Sequence, residues 1–415
     1  MTILIKISHA GNIGLGDSLV FVIGSSTRFM RGVAFYEFRQ NANMFYLTGI
    51  SEPDAAMILK TDNSTKGYTM HLFMQPKDDF DETWYGYRSG LSAARQLFGA
   101  DEVDDFSNFV RVAKDMIGSA QHVYLDKNEH GDLAGSCHGE LLQAIGSRKC
   151  IPLSALVHKL RIIKSDAELA LLRRVGQISG RVYNDAMRRS WTNEADLQAE
   201  LRHGWIKHGA EREAYVPVVA GGDRASCIHY TQNNRLIGEG EMIFVDAGAE
   251  LGGYLTDISR AWPASGKFSE PQRDLYQAVL NVEKACVKMC TQDSAHSIQT
   301  IHMESIELMK IELRNLGFKL VEGDVERYLY PHRVGHHIGL EIHDCSSLGG
   351  FESLRENQTI TIEPGCYVPY DDQWPKHFQG LALRVEDSIA IGKEVPTILS
   401  VEAVKEIVDI EALRA

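Results

Sequence analysis

Short apolar runs alternate with stretches of helical periodicity in the first part of the chain. The runs Ser18–Ile23 and Ala56–Lys60 have the length and composition of buried strands. Apolar positions recur at helical spacing in Gly90–Phe98 and in Asp105–Met116. Because short strands that alternate with helices are typical of helices packed on a sheet, we predict an α/β domain here.

The hydrophobic pattern changes near residue 160. A capping-box sequence, Ser165-x-x-Glu168, precedes a long stretch with one apolar face, which predicts an amphipathic helix. A second helix is predicted over Glu194–His208. We therefore place a domain boundary just before the first of these helices and expect two domains, residues 1–160 and residues 161–415.

Beyond residue 215 the pattern consists of short strands and tight turns, interrupted by one helical block over Gln272–Gly317. Ionisable residues occur within these strands, at positions where a buried strand would ordinarily carry Val or Ile. Conflicts between local pattern and chemistry are typical of functional sites. The second domain is therefore where we expect the chemistry.

Composition and charge narrow the classes of function. The 415 residues include 43 Lys and Arg against 56 Asp and Glu, a net charge of −13, and 44% are hydrophobic. This is a globular composition. We expect no nucleic-acid partner, because such binding depends on Lys and Arg that neutralise phosphates. We also expect no membrane partner, since no apolar run approaches the ~20 residues of a spanning helix.

Cysteine usage and the amino-terminal composition bear on the compartment. The seven cysteines are scattered without a Cys-x-x-Cys pair, which favours reduced thiols over a disulfide framework. The first 25 residues contain one Lys, one Asp and no Arg, and lack a secretory apolar core. We therefore expect that targeting is absent or that its segment is missing from this chain.

Two aspartates occur in a segment with the pattern of a β-hairpin. A turn centred on Leu251–Gly252 places Asp246 directly opposite Asp257, on the same face and with Cβ atoms ~4.5–5.5 Å apart. Carboxylates this close repel each other unless a proton or a cation lies between them. A shared divalent metal is one interpretation; the other is that one aspartate belongs to the turn or pairs with Arg260.

Further ligand-type residues follow downstream. The segment 331–344 contains four histidines, at positions 332, 336, 337 and 343. In an extended segment His336 and His337 point to opposite faces, so at most one of them faces the aspartates. Glu363 and Glu386 each lie inside or at the end of an apolar strand. Buried carboxylates are rare unless they are paired or bind a metal.

Asp246, Asp257, His336, Glu363 and Glu386 together offer four carboxylates and one imidazole. Such an oxygen-rich set suits a pair of divalent ions such as Mn²⁺ better than a structural zinc, which favours Cys and His. Two ions ~3.5–4 Å apart can share a water and provide hydroxide at neutral pH. The set therefore predicts a hydrolase, with a salt-bridge network as the alternative.

In these residues the chain resembles the aminopeptidase P/prolidase family of dinuclear metallopeptidases. The resemblance extends from the first domain to the end of the second, and in detail it is greatest to the mitochondrial-type aminopeptidase P group, which includes the intermediate cleaving peptidase. It implies a creatinase-like α/β domain followed by a C-terminal pita-bread catalytic domain. The sequences that carry it are Phe38-Arg-Gln40, Phe45-Tyr-Leu-Thr-Gly49, Val219-Ala-Gly-Gly-Asp-Arg224, His229-Tyr230, Pro331-His-Arg-Val-Gly-His336 and Val385-Glu386-Asp387.

The resemblance implies a division of the five ligands between two metal ions, most simply Mn²⁺. Asp246 and Asp257 would bind one ion, with Asp257 bridging. His336 and Glu363 would bind the other, and Glu386 would bridge both. Glu363 would also accept the proton of the nucleophilic water and pass it to the leaving amine.

The resemblance also implies roles for residues that are not ligands. His229 and His343 would hold the scissile carbonyl and its tetrahedral oxyanion, and His332 would line the pocket. Arg384 would orient a metal-binding carboxylate, as partners of metal ligands commonly do. Tyr367 would belong to the substrate pocket.

The activity implied is removal of the amino-terminal residue of a peptide or protein, by attack of a metal-bound hydroxide on the first peptide bond. The implied partners are peptide or protein N-termini and further copies of the chain, in a homodimer or homotetramer. The implied location is the mitochondrion, although the chain has no clear presequence, and the alternative location is the cytoplasm.

Three substrate preferences stay open within this class. The enzyme could require proline in the second position, trim processed proteins without that requirement, or act only on Xaa-Pro dipeptides as a prolidase. Two other classes are a pita-bread binding module without catalysis and a metal-independent, creatinase-like hydrolase. Both are disfavoured because all five ligands and the flanking histidines are present.

Overall fold

The structure, a computed structural model, describes residues 17–127 and 136–414. The chain divides into two compact units, Met1–Arg161 and Ile162–Ala415. Most of the segment that carries the presequence prediction, residues 1–16, lies outside the described residues. Within the described ranges, no helix has both the length and the apolar character needed to cross a membrane.

The first unit is built on a mixed β-sheet. Its strands are β1 (Ser18–Ile23), β2 (Phe29–Arg31), β3 (Ala34–Phe35), β4 (Ala56–Thr61), β5 (Tyr68–Met74), β6 (Glu102–Asp105), β7 (His122–Tyr124) and β8 (Cys150–Ile151). Six of them form one sheet in the order β6-β5-β4-β1-β7-β8, and β2 pairs with β3. The helices described in this unit are α1 (Ala42–Thr48), α2 (Asp79–Tyr85), α3 (Gly90–Phe98), α4 (Phe109–Ile117), α5 (Cys137–Ile145) and α6 (Ser154–Arg161).

Helices cover both faces of this sheet. Alternate side chains of the central strands enter two separate cores, Val20 and Met57 in one and Phe21 and Ile58 in the other. Because β1 is buried on both faces, its sequence is a continuous apolar run. The predicted α/β character of this part of the chain is therefore confirmed.

Most predicted elements of the first unit have the expected bounds, with one exception. The strand Ser18–Ile23 and the helix Gly90–Phe98 match the predictions. The helix expected from Asp105 begins instead at Phe109. Asp105 ends strand β6, and its carboxylate accepts a hydrogen bond from the Ser107 amide at 2.8 Å, which closes a short 3₁₀ turn before the helix.

The second unit combines long helices with several small sheets. Its helices are α7 (Asp166–Met187), α8 (Glu194–Lys207), α9 (Glu270–Lys288), α10 (Ile298–Asn315) and α11 (Ile407–Ala412). Its strands are β9 (Arg212–Glu213), β10 (Val218–Gly221), β11 (Met242–Ala247), β12 (Ala249–Leu251), β13 (Tyr254–Leu255), β14 (Ile258–Pro263), β15 (Thr359–Ile362), β16 (Gly365–Tyr367), β17 (Ala382–Arg384), β18 (Asp387–Ala390) and β19 (Thr397–Ile398). The sheets are β10-β11-β14, β13-β12-β9, β15-β18-β19 and β16-β17, over one apolar core.

The helix starts of this unit follow their capping residues. The capping box of Ser165 and Glu168 is present at the start of α7, as predicted. The single helical block predicted over Gln272–Gly317 is wrong, because the structure has two helices there, α9 and α10. Ser297 caps the second helix through a capping box with Thr300, so the chain leaves one helix and starts another.

The hairpin that carries the aspartates has a different register from the predicted one. Asp246 lies opposite Ser259, not opposite Asp257. The turn residues are Gly252 and Gly253, with φ of 59° and 79°, a conformation that glycine adopts without strain. The pairing is thus shifted by two residues. Because side chains alternate with a period of two, this shift leaves Asp246 and Asp257 on the same face.

Arg260 has a partner other than the two aspartates. Its guanidinium lies 2.7 Å from Asp387, and both side chains are fully buried. Lys405 lies 2.6 Å from the same carboxylate and 2.8 Å from Glu283. The two cations and two anions form a balanced buried cluster, so the interpretation that Arg260 neutralises a hairpin aspartate is wrong.

The extended segment 334–338 runs antiparallel to strand β15. The Glu363 amide donates to the Val334 carbonyl at 2.7 Å, and the Thr361 amide donates to the His336 carbonyl at 2.8 Å. At Gly335 the two backbones approach so closely that a β carbon would lie 2.0 Å from the Thr361 carbonyl oxygen. This contact sets His336 beside Glu363.

We expect Gly335→Ala to destabilise the second unit by about 1–3 kcal/mol, because a methyl group there forces the two strands apart. The measurement is the free energy of unfolding in urea. Gly240→Ala is the matched control, since Gly240 is exposed and its β carbon would meet nothing within 4 Å. Equal stability of the two variants would contradict this account of the close approach.

Candidate metal centre

The five predicted ligands come from neighbouring strand ends of the second unit. Asp246 lies in β11, and Asp257 directly precedes β14. Glu363 follows β15, and Glu386 directly precedes β18. His336 lies in the segment hydrogen-bonded to β15. Strand pairing therefore places residues that are distant in sequence at one location.

The side chains of the set converge. His336 Nε2 lies 3.4 Å from Asp257 Oδ2 and 3.6 Å from Glu363 Oε1. Asp257, His336 and Glu386 each offer one ligand atom, and these atoms all lie within 4.8 Å of one another. Asp257 and Glu386 are almost fully buried, at 6% and 1% exposure. Distances of this size are those of side chains arranged around a common centre.

Tyr215 joins the two aspartates, and sequence reasoning missed it. Its hydroxyl contacts Asp246 Oδ1 at 2.6 Å and also contacts Asp257 Oδ1. Burial and the neighbouring carboxylates raise the pKa of Tyr215 well above its usual value, so it stays a neutral hydroxyl. No motif or spacing in the sequence points to this residue, because it lies between β9 and β10 and is placed by the pairing of β9 with β12 and of β10 with β11.

Arg384 forms the positive side of the cluster. It contacts Asp246 Oδ2, and it donates to Tyr367 Oη at 3.0 Å and to Ser259 Oγ at 2.9 Å. Ser259 in turn donates to Glu386 Oε2 at 2.6 Å. Arg384 thus contacts one carboxylate directly and a second through a serine hydroxyl. Ser259 is a further contact that the sequence did not reveal.

Burial makes negative charge unfavourable here. It raises the pKa of Asp246 to about 6 and that of Glu363 to about 7, and it raises the pKa of Glu386 well above its usual value. Burial also acts on Asp257, but the hydrogen bond and the charge of His336, with Tyr215 and Arg384, together outweigh burial and lower the pKa of Asp257. The same carboxylates raise the pKa of His336 to about 9 against its own burial. The protein alone supplies too little positive charge for four carboxylates.

The donor set fits a divalent cation. Among the described residues, Glu386 Oε1 is buried and has no hydrogen-bond partner. An unpaired buried carboxylate oxygen is costly unless a cation or proton binds it. Carboxylate oxygens with one imidazole nitrogen are ligands for hard or borderline ions. Both observations support cation binding between Asp257, His336, Glu363 and Glu386.

His332 and Tyr367 lie beside Glu363. His332 Nε2 is 2.9 Å from Tyr367 Oη, and His332 Nδ1 is 3.8 Å from Glu363 Oε2. Burial, with a smaller effect of Arg384, lowers the pKa of His332 to about 3. His332 is therefore neutral at physiological pH and exchanges hydrogen bonds without carrying charge.

His229 and His343 lie on the solvent side of the cluster, where both are exposed. The His343 ring packs edge-on against His336, with centroids 4.4 Å apart. Burial and then the charge of His336 lower the pKa of His343, and His229 lowers it further, so the three imidazoles are neighbours. The nearest charges to His337 are different: burial and then Lys164 lower its pKa to about 4, and Asp344 opposes them. Of these two histidines, His336 is the one that contacts Asp257, which agrees with the predicted alternation.

Comparison with known proteins agrees with this geometry. Metallopeptidase family M24 matches residues 170–393, and the aminopeptidase P N-terminal domain matches residues 9–124. Intermediate cleaving peptidase 55 of Saccharomyces cerevisiae is 41% identical over 95% of this chain and 80% of its own length. Its crystal structure superposes with a TM-score of 0.90 and 39% identity, covering 99% of this chain and 96% of that one.

Two further relatives match over similar fractions of this chain and of their own lengths. Xaa-Pro aminopeptidase 3 of Homo sapiens is 33% identical, over 96% of this chain and 81% of its own. The mitochondrial intermediate cleaving peptidase 55 of Arabidopsis thaliana is 33% identical, over 96% and 79%. The resemblance to aminopeptidase P and the predicted fold class, a creatinase-like α/β domain followed by a pita-bread catalytic domain, are confirmed. The chain belongs to metallopeptidase family M24 and is a metalloaminopeptidase that removes amino-terminal residues.

Proposed function

We propose that the second unit, residues 161–415, is the catalytic domain and holds two divalent cations, with Mn²⁺ as the ion used. Asp246 and Asp257 are proposed to bind one ion, His336 and Glu363 the other, and Glu386 both. The observation that supports this most is the unpaired, buried Glu386 Oε1 among converging ligand atoms. Bound cations of this kind activate a water at neutral pH and polarise an amide carbonyl.

The protein's own groups are proposed to move the proton and hold the peptide. Glu363 lies 3.6 Å from His336 Nε2 and 3.8 Å from Arg384 Nε, and from this place its carboxylate can accept a proton from the attacking water and return it to the leaving amine. His229 and His343 are on the open side, where they can donate hydrogen bonds to the scissile carbonyl and to its developing oxyanion.

Arg384, Tyr367 and His332 are proposed to hold these groups in place. The Arg384 guanidinium contacts Asp246 directly and reaches Glu386 through the hydroxyl of Ser259. Tyr367 links Arg384 to His332, and His332 lies against Glu363. This chain of hydrogen bonds fixes His332, whose ring packs beside Glu363 at 3.8 Å, and such support is the role expected of partners of metal ligands.

The substrate is proposed to be the N-terminus of a processed protein or a longer peptide, without a requirement for proline in the second position. The support is the greater identity to the yeast intermediate cleaving peptidase, 41%, than to the human Xaa-Pro aminopeptidase, 33%. The dipeptidase alternative is not favoured by either relative.

Asp257→Asn and Glu386→Gln should each abolish turnover while the chain still folds, because each removes a negative ligand but keeps the side-chain shape. The measurements are turnover of a peptide with Mn²⁺ present and the content of bound metal. Glu239→Gln is the control, since Glu239 is exposed and outside the cluster. Near-normal activity in either ligand variant would show that the two-ion assignment is wrong.

Three substrates separate the possible preferences: a Xaa-Pro dipeptide, a longer peptide that begins Xaa-Pro, and a longer peptide that begins with Tyr or Leu before a residue other than proline. We expect the third to be cleaved at least as fast as the second. Release of the first residue is followed by mass spectrometry. Cleavage of the dipeptide alone would contradict the proposal.

The location is proposed from a relative, and the assembly is proposed from the resemblance of the sequence to the aminopeptidase P family. The Arabidopsis thaliana relative is described as mitochondrial, and we propose the same compartment for this protein and a homodimer or homotetramer as its assembly. Cell fractionation tests the first statement and light scattering of the purified protein tests the second. A protein found only in the cytosol, or a monomer at working concentration, would contradict them.

A further inference from the structure

Glu194 is a fully buried carboxylate outside the metal cluster. It is the first residue of helix α8, and both of its oxygens accept hydrogen bonds. Oε1 accepts from the Gly221 amide at 2.9 Å and from Arg224 Nε at 2.7 Å. Oε2 accepts from Tyr230 Oη at 2.8 Å and from the Arg235 amide at 2.9 Å. Four donors satisfy one buried anion.

These four donors belong to a single loop. The loop leaves strand β10 at Gly221 and extends to Arg235, and His229 lies between these ends. One oxygen of Glu194 binds the beginning of the loop and the other binds the part that follows His229. Glu194 therefore joins the two ends of the loop through one buried carboxylate, and Asn233 adds a second bridge by bonding to Val219 and Pro217.

The loop lies against the strands of the candidate metal centre. Its first turn, Gly222–Ser226, packs against β11 and β17, which carry Asp246 and Arg384. His229 lies close enough to His343 to lower the pKa of His343. A shift of this loop therefore moves His229 relative to groups that are fixed by strand pairing.

Glu194 is suited to hold the loop only as an anion. Burial alone would raise its pKa, but the Gly221 amide, Arg224 and the other donors together outweigh burial and lower it. The N-terminal position in helix α8 also favours negative charge. A glutamine in the same place would turn an NH₂ group towards two donors and leave Arg224 with the more exposed Glu241 in place of its buried partner, so the loop would lose part of its anchorage.

We propose that Glu194 is a positioning residue for peptide cleavage, which acts by fixing His229 over the metal centre. The inference rests on the proposed role of His229 as a hydrogen-bond donor to the scissile carbonyl. A residue that only stabilises the fold would affect turnover by many routes. Glu194, in contrast, is expected to affect turnover only through His229.

The test is a double-mutant cycle of Glu194→Gln and His229→Ala, with kcat/KM for a longer peptide and bound Mn²⁺ as the readouts. We expect Glu194→Gln alone to lower kcat/KM by about 10- to 100-fold with metal content unchanged. In the His229→Ala background the same substitution should cost less than about twofold, because the group it positions is gone.

Glu241→Gln is the matched control. Glu241 also accepts a hydrogen bond from Arg224, at 3.2 Å, but its side chain is one-third exposed. We expect its kcat/KM to stay within about twofold of the parent enzyme. If Glu194→Gln fails to fold, Tyr230→Phe removes a single donor to Glu194 and should give a smaller loss that again disappears in the His229→Ala background.

The outcomes distinguish this inference from the proposed function. A loss in Glu194→Gln that persists undiminished in the His229→Ala background overturns the inference alone, since Glu194 would then act through the general structure. Unchanged kcat/KM in Glu194→Gln also overturns it. Unchanged kcat/KM in His229→Ala alone shows that the proposed role of His229 is wrong, and the inference falls with it.

Discussion

The second unit is organised around the electrostatic cost of placing four carboxylates together out of water. Asp257 and Glu386 are almost fully buried, and burial alone raises the pKa of every carboxylate in the cluster. Arg384, His336 and the hydroxyl of Tyr215 reduce this cost but leave a carboxylate oxygen of Glu386 without a hydrogen bond in the described structure. Divalent cations are the natural partners for such a set, and the membership of family M24 agrees.

The surrounding fold has the rigidity that such a cluster requires. Four of the proposed ligands lie in strands or directly beside them, and His336 lies in a segment that is hydrogen-bonded to β15, so backbone hydrogen bonds set their positions. Behind Glu386, Arg260 donates to the Glu386 carbonyl at 2.5 Å and is itself held by Asp387. Lys405 and Glu283 complete the ion-pair group around Arg260 and Asp387. This group, in which positive and negative charges balance, lies behind the carboxylate-rich cluster and supports it. The exposed histidines lie on the opposite, open side, where substrate can reach them.

Much of this arrangement could be predicted from the sequence, because buried carboxylates in apolar strands are conspicuous. The five residues that were predicted as ligands lie close together in the structure, and His336 contacts Asp257, as the predicted alternation of side chains requires. The register of the hairpin was predicted wrongly by two residues, because Gly252 and Gly253 together form the turn and the pattern alone did not separate that choice from its neighbour. The prediction that Asp246 and Asp257 share a face is nevertheless correct, since a shift of two residues leaves each side chain on the same face of the sheet.

The contacts that sequence reasoning missed arise from tertiary packing. Tyr215 reaches the aspartates because β9 pairs with β12 and β10 pairs with β11, and Ser259 contacts Glu386 where two sheets meet. The break between helices α9 and α10 was missed because the apolar pattern continues across it, while the Ser297 cap that separates them is a local feature. Such contacts depend on pairings between distant segments, which one sequence does not specify.

The most direct measurement is titration of Mn²⁺ into protein stripped by a chelator, followed by calorimetry, with aminopeptidase activity recorded at each point. The account predicts saturation at two ions per chain and activity that rises as the sites fill. Full activity in the stripped protein, or the absence of saturable Mn²⁺ binding, would contradict the claim that these side chains converge in order to hold catalytic cations.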